Sequence, residues 1–504
     1  MRAVILTVHH ILTSIFLKND KKTRFIWREI ILPFFLRGDM MFYRLKSEYM
    51  LRGWKLLHTG VVNREDRKVK FLPSKKYNVL KLCDGKSASD LFDEAQRKII
   101  DEFIADGYVE VTDKISPLEA VQEYKFHDNR FVSSMGWYIT GKCNCKCRHC
   151  YLSSSPQKVE EFTHEQCMNI IAQMAECGVQ NVSLIGGEPL IRRDFWEIVD
   201  ELVAKDIKIK TILSNGILIN EKFISELKSR DLRPKLKISF DGIGCHDWLR
   251  GFNGAEKAFY RAVKLLHEGN FKVHVSFDLH KGNLGSVRES VKLLASMGVD
   301  LVDIGRIFAM GAALDMQDKL MTRAEEHDFL LEYIPQYIAD GAPVELHLSG
   351  IFSVFNTTEY MTPIVKMAEN FNCDNYCLCG NARNFMKIDS DGYVIPCIPM
   401  GLAEGSKKYF SRITDKSLKE ILNDEAYMRL VSTRLAEYFK RHPECDACEY
   451  RNRCGGGCRG MAMYYNRDGD LLGIDRDTCK FFKGGYYDKF IALAEKLGLK
   501  RVVA

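Results

Sequence analysis

Gly136-Trp-Tyr-Ile-Thr-Gly-Lys-Cys-Asn-Cys-Lys-Cys-Arg-His-Cys-Tyr151 begins as an apolar, β-prone run and ends in four cysteines within eight residues. Cys143, Cys147 and Cys150 stand in the spacing C-x3-C-x2-C. Three thiolates so placed can hold three irons of a four-iron, four-sulfide cube and leave the fourth iron open to a small ligand. Three cysteines in eight residues also suit a structural zinc site, so the loop has to be read together with the residues downstream of it.

Beyond Tyr151, apolar strand-like runs alternate with amphipathic helices. The strands are read at Gly136 to Thr140, Val182 to Ile185, Ile207 to Leu213, Leu236 to Phe240, Val273 to Phe277 and Leu301 to Ile307. Helical patterns at Glu165 to Glu176, Asp194 to Ala204, Ala255 to His267 and Leu284 to Ser296 separate them. This is the rhythm of a parallel α/β sheet, and six such units predict a partial (β/α)6 TIM-like barrel. In parallel barrels chemistry gathers at the carboxyl ends of the strands. The cysteine loop follows the first strand, Gly186-Gly187-Glu188-Pro189 the second and Ser214-Asn215-Gly216 the third, and Ser239 to Gly242 closes the fourth. All four motifs are therefore expected on one face, which argues for the cluster over zinc.

The loop spacing, Tyr151 and the downstream GGEP resemble the radical S-adenosylmethionine superfamily over Trp137 to Gly311. The resemblance implies an enzyme in which S-adenosylmethionine chelates the open iron, accepts one electron and yields a 5′-deoxyadenosyl radical that abstracts hydrogen from a substrate. It implies Cys143, Cys147 and Cys150 as cluster ligands. It implies Gly186, Gly187 and Glu188 at the methionyl amino group, Ser214, Asn215, Ser239 and Asp241 along the cosubstrate pocket, and Arg306 at the carboxylate. Cys145 would break the ligand spacing and is read as a small packing residue.

Seventeen cysteines occur in 504 residues, and 13 of them fall around 143–150, 373–397 and 445–479. Such grouping suits metal ligation better than a disulfide framework. Cys379-x12-Gly392-x4-Cys397, Cys445-x2-Cys448-x5-Cys454-x3-Cys458 and Cys479 resemble the SPASM auxiliary-cluster domain, over Phe371 to Phe482. That resemblance implies two more four-iron clusters, three in all. One would take Cys379, Cys397, Cys458 and an upstream cysteine, Cys373 being favoured over Cys377. The other would take Cys445, Cys448, Cys454 and Cys479. A zinc ribbon is the competing reading of the C-x2-C pair alone. Cys83, Cys167, Cys177 and Cys245 lie in apolar or helical contexts and are read as core residues.

Four regions are expected: 1–42 as an N-terminal extension, with Met40 or Met41 a rival start; 43–125 as a small α+β module; 132–340 as the barrel; and 341–504 as the cysteine-rich domain. Within the module, Leu91, Phe92, Ala95, Ile99, Ile100, Phe103 and Ile104 repeat at helical spacing and predict one buried face. Lys70 to Val111 resembles the PqqD-like peptide-recognition element of ribosomal peptide maturases, which adds a leader peptide to a sheet edge. A plain packing domain is the bland reading.

A balance of 73 Lys plus Arg against 67 Asp plus Glu leaves +6, without a nucleic-acid footprint. The apolar stretch Ala3 to Leu17 is too short to span a membrane. Thiolate clusters belong in a reducing compartment, so a cytoplasmic protein is expected. Together the resemblances imply a maturase of a ribosomally synthesised precursor peptide, forming a thioether, a carbon–carbon crosslink or a similar change. They also imply a low-potential donor such as flavodoxin or ferredoxin. A formylglycine-forming sulfatase maturase is the second enzyme reading, but that group carries Asp after the cysteine matching Cys397, where this chain has Ile398. An electron-transfer or redox-sensing protein would need four ligands per cluster and no cosubstrate pocket.

Overall fold

The computed structural model describes residues 41–157, 161–365, 367, 371–403, 405–466 and 470–502. The N-terminal stretch, including Ala3 to Leu17, lies outside the described residues. The chain divides after Phe126 into two compact units.

In the first unit β1 (Phe42–Leu45) sits between β5 (Asp84–Ala88) and β6 (Val109–Thr112), both antiparallel to it. β2 (Tyr49–Lys55), β3 (Leu57–Asn63) and β4 (Val69–Phe71) form an antiparallel ladder. Helices α1 (Ser74–Leu80) and α2 (Glu94–Ala105) complete the unit. A capping box fixes the start of α2, with Asp93 accepting from Gln96 N and Gln96 reaching back to Asp93 N. Helical periodicity therefore begins at Glu94. Ile99, Ile100 and Phe103 face the core with Leu45, Leu51, Tyr77 and Leu80, as expected. Leu91 precedes the cap and is 74% exposed, contrary to its predicted place on the buried face.

β7 (Lys125–Arg130) runs across the unit boundary. In the second unit all six expected strands form: β8 (Ser134–Tyr138), β9 (Asn181–Ile185), β10 (Lys208–Ser214), β11 (Lys235–Ser239), β12 (Val273–Leu279) and β13 (Leu301–Arg306). Helices α3 (His164–Glu176), α4 (Phe195–Ala204), α5 (Glu221–Ser229), α6 (His246–Arg250), α7 (Ala255–Glu268), α8 (Val287–Ser296) and α9 (Arg323–Ala339) come between or after them. The strands are parallel neighbours in chain order, giving a partial (β/α)6 TIM-like barrel. Alternation along each strand divides the two faces. Val273, Val275, Phe277, Val302 and Ile304 are buried in the main core, whereas Lys237, Ser239, Ser276, Asp278 and Asp303 alternate with buried neighbours and line the interior.

The sheet continues beyond the expected boundary at 340. β14 (Glu345–Leu348) pairs in parallel with β13, and β15 (Phe352–Val354) and β16 (Glu359–Met361) extend it as antiparallel strands. On the other side β17 (Phe385–Ile388) pairs in parallel with β8, and β18 (Val394–Ile395) returns against it. β19 (Lys500–Arg501) joins the β16 edge. The cysteine-rich segment thus contributes strands to the barrel's own sheet. These strands are two to four residues long, too short for alternation to mark them in the sequence.

Candidate functional site

Backbone bonds fold the cysteine loop over the carboxyl ends of the strands. Gly187 N donates to Thr140 O and Glu188 N to Lys142 O, both at 2.9 Å. The Gly187 position requires glycine, because a Cβ there would fall 2.2 Å from Lys142 O. From the other side Arg148 N donates to Leu249 O and Ala312 N to Cys150 O, both at 2.9 Å. Tyr151, just after the loop, shares a hydroxyl hydrogen bond of 2.8 Å with Tyr138 of β8.

A cavity of about 470 Å³ opens above the loop. Cys143, Cys147 and Cys150 all line it, with Gly186, Gly187, Ser214, Asn215, Ser239 and Arg306. One wall therefore gathers the three expected ligands and six of the eight residues expected around the cosubstrate. Cys145 lines it too, although it is only 1% exposed. A hydrogen bond from the Cys145 thiol lowers the pKa of Cys147 below the ordinary thiol value against the opposing effect of burial, with Arg250 and His149 adding to the fall. Thiolate is the form that binds iron.

Glu188 and Asp241 do not line the cavity; both are completely buried behind it. The Glu188 carboxylate accepts from Asn215 N at 2.7 Å, Ser214 Oγ at 3.0 Å and Leu190 N at 3.2 Å. Burial pushes its pKa up to about 7, opposed by these hydrogen bonds. It holds the Ser214-Asn215 turn in place, and Asn215 Nδ2 in turn donates to Asn144 Oδ1 at 2.7 Å within the cysteine loop. Asp241 accepts two hydrogen bonds from Arg250, from Nε at 2.7 Å and from Nη2 at 2.9 Å, and one from His246 Nδ1 at 3.0 Å. Burial alone would raise its pKa, but Arg250 and His246 hold the carboxyl well below the usual range. The expectation that Asp241 faces the pocket directly is thus corrected. It is the anchor of Arg250, which does line the cavity.

Arg306 lines the cavity but is already engaged. Its guanidinium lies 3.3 Å from Glu326 and 3.1 Å from Asp477, and it donates to Tyr465 Oη at 3.3 Å. Arg250 is engaged as well, by Asp241 and with Asp278 3.8 Å away, and it lies close enough to Cys147 for each to shift the other's ionisation. Sequence reasoning missed Arg250, His149, Lys237, Asp278 and Asp303. The first follows a conspicuous Ser-Phe-Asp-Gly turn by only eight residues, and the others lie within strands or between the cysteines.

In the cysteine-rich segment Cys445, Cys448, Cys454 and Cys479 all line one small cavity of about 60 Å³, the expected set of four. Cys379 and Cys458 line a larger cavity of about 650 Å³ together with Cys377 and with Cys454, which borders both cavities. Cys397 is their neighbour, since its thiol is influenced by Cys458 and Cys379 once burial has pushed it up to about 12. A Cβ on Gly460 would come 3.0 Å from Cys397 Sγ, so glycine keeps this corner open. Cys373, the favoured upstream ligand, sits instead in an apolar cluster with Leu378, Leu435, Tyr438 and Phe439, its thiol donating to Asn452 Oδ1 at 3.2 Å. Cys377 Sγ accepts from Arg383 at 3.2 Å and from Arg434 at 3.5 Å. Cys83, Cys167 and Cys177 are buried as core residues, but Cys245 is only part-buried.

Residues 137–294 match the radical SAM superfamily, and residues 377–449 match SPASM, described as an iron-sulfur cluster-binding domain. Over 337 residues the chain is 29% identical to mycofactocin maturase MftC of Mycolicibacterium smegmatis, covering 65% of this chain and 78% of that one. It is 24% identical to the PqqA peptide cyclase of Granulibacter bethesdensis, covering 66% and 84%. In fold it is similar to Streptococcus suis SuiB bound to precursor peptide SuiA, with a TM-score of 0.60 at 16% identity over 87% of this chain and all of that one. The thiolate loop and the cysteine register beyond it thus fall within the two matches: the chain carries a radical SAM domain and a SPASM iron-sulfur domain.

Proposed function

We propose that this enzyme matures a ribosomally synthesised peptide by abstracting a hydrogen from it, forming a thioether, a carbon–carbon crosslink or a comparable bond. The observation that carries this reading is the single cavity shared by Cys143, Cys147, Cys150 and the strand-end turns. The relatives supply the substrate class, being named a mycofactocin maturase and a PqqA peptide cyclase.

When bound, the cluster and S-adenosylmethionine supply the primary radical. The protein's residues position and enclose it. Cys143, Cys147 and Cys150 ligate the radical-generating cluster. Gly186 and Gly187 give the cosubstrate a close backbone approach, while Ser214, Asn215 and Ser239 offer polar atoms along it. Glu188 and Asp241 act from behind, the first through the Ser214-Asn215 turn and the second through Arg250. Arg306, held by Glu326 and Asp477, and Arg250, held by Asp241, are the two cations lining the cavity that can meet the cosubstrate's carboxylate.

Two auxiliary clusters complete the set of three. Cys445, Cys448, Cys454 and Cys479 hold one; Cys379, Cys397 and Cys458 hold the other, with an upstream cysteine, Cys373 or Cys377, as the fourth ligand. The 43–125 module binds the leader segment of the precursor along the β4 edge, where backbone hydrogen bonds give affinity with little demand on sequence. A low-potential flavodoxin or ferredoxin provides the electron, and the thiolate-rich sites suit a cytoplasmic setting. No helix among the described residues is long and apolar enough to cross a membrane.

The test is anaerobic incubation of the loaded protein with S-adenosylmethionine, dithionite and the peptide encoded by a neighbouring short reading frame. The expected result is 5′-deoxyadenosine together with a peptide lighter by two hydrogens per new bond. Deoxyadenosine with an unaltered peptide, across all such candidates, would reject the peptide substrate.

A further inference from the structure

The cavity above the cysteine loop is lined by two carboxylates, Asp278 and Asp303. Asp278 is committed to the loop: its Oδ2 meets His149 Nε2 at 3.1 Å and lies 3.8 Å from Arg250. Asp303 pairs instead with Lys237, whose Nζ is 2.8 Å from its Oδ2. Ser239, Ser276 and Asp303 occupy one register row across β11, β12 and β13, and Lys237 reaches Asp303 from two residues below Ser239. The side chains remain 29% and 39% exposed, and both line the cavity. An ion pair this open contributes only about 0–1 kcal/mol to stability. Fold stability therefore does not account for two charges on the inner wall of a barrel. Elsewhere on the wall Ile398 and Pro399 are apolar and offer no base.

We propose that Asp303 is the proton acceptor of the bond-forming step, with Lys237 fixing its orientation toward the cavity. This rests on the peptide-maturation reading above. Once hydrogen abstraction has left a carbon radical on the peptide, that carbon bonds to an X–H group of the same peptide, a thiol in the thioether case. The X–H bond breaks as the C–X bond forms. The proton passes to the Asp303 carboxylate, and one electron leaves to a one-electron acceptor of the iron-sulfur class.

The experiment compares wild type, Asp303→Asn and Asp303→Glu as full-length, anaerobically reconstituted proteins, using the neighbouring-frame peptide that wild type converts. Asp303→Asn should keep wild-type iron content, the wild-type change in the cluster's electron paramagnetic resonance on adding S-adenosylmethionine, and peptide-dependent deoxyadenosine formation. Its crosslinked product per deoxyadenosine should fall about 100-fold, the scale of a lost general base. Asp303→Glu should recover at least about a tenth of the wild-type ratio. An unchanged ratio in Asp303→Asn would overturn the assignment, as would loss of iron or of the cosubstrate response, which would mark the pair as structural. If Asp303→Asn does not fold, Asp303→Glu decides, a ratio below that tenth counting against the proposal. Failure of wild type to alter any peptide would instead reject the substrate reading.

Discussion

The Glu188 carboxylate accepts the backbone N–H of Asn215 at 2.7 Å, which ties the turn after β9 to the turn after β10. Two motifs that are 27 residues apart in the chain become one wall of the cavity through this bond. Glu188→Ala would strand the buried Asn215 N–H and Ser214 hydroxyl, each worth about 1–3 kcal/mol when unsatisfied. We expect S-adenosylmethionine to bind at least about tenfold more weakly, equivalent to about 1.4 kcal/mol. Iron content should hold, because among the described residues the Glu188 carboxylate accepts from Asn215, Ser214 and Leu190 and from none of the cysteines. Anaerobic binding titration alongside iron analysis checks both.

Gly187→Ala should act on the cysteine loop itself. The added methyl would meet the Lys142 carbonyl oxygen, a backbone atom that cannot swing aside. The Gly187–Thr140 and Glu188–Lys142 bonds would be displaced together, so the expected outcome is loss of the radical-generating cluster with both auxiliary clusters retained. On the proposed set of three four-iron clusters, iron and sulfide should fall by about one third of the wild-type content, which iron and sulfide analysis reads directly.

Arg250 and Asp241 form a fully buried, two-pronged ion pair. Replacing one partner leaves the other's charge without compensation, at a typical cost of about 3–5 kcal/mol. Asp241→Asn is expected to lower unfolding stability by that order and to weaken cosubstrate binding through the misplaced Arg250. Denaturant unfolding and binding titration measure the two effects separately.

How much of this could be read from the sequence depended on whether the signal was local. The cysteine loop, the two glycines and the Ser214-Asn215 turn were legible because each follows a strand of a parallel sheet, and parallel strands bring their ends to one face. Asp241 shows why residue type and order do not settle orientation. Its motif marked the right turn, but the partner that draws it inward, Arg250, lies on the next helix. Lys237 and Asp303 were hidden in plain alternation, since a charged residue between apolar ones in a strand is ordinary on a solvated face. Here that face closes into a barrel interior. Cys373 and Cys377, close neighbours in the chain, differ in the structure, the first buried in an apolar cluster and the second on a cavity wall, a matter of tertiary packing to which spacing is blind.

His327 supplies a pH dependence away from the cysteine loop. Its ring packs against Phe481, Tyr486 and Phe490, with centroids 5.2, 4.6 and 6.3 Å away. Burial, helped by Arg323 and Arg306, lowers its pKa from 6.5 to about 4. The unfolded chain therefore takes up a proton below pH 6.5 that the folded protein refuses until about pH 4. The stability His327 contributes is complete above pH 6.5 and drains away as the pH falls toward 4, by up to about 3 kcal/mol. His327→Phe should flatten that part of the unfolding profile, measured by denaturant titration at successive pH values.

If three thiolates leave one iron open to the sulfonium cosubstrate, electron paramagnetic resonance of the reduced protein must differ with and without S-adenosylmethionine. Cys379→Ala, Cys445→Ala and Cys479→Ala variants would remove the auxiliary signals from view. A changed g-tensor on addition of S-adenosylmethionine, lost when Cys147 is replaced by alanine, is the predicted result. A spectrum of the intact first cluster that ignores the cosubstrate would contradict it.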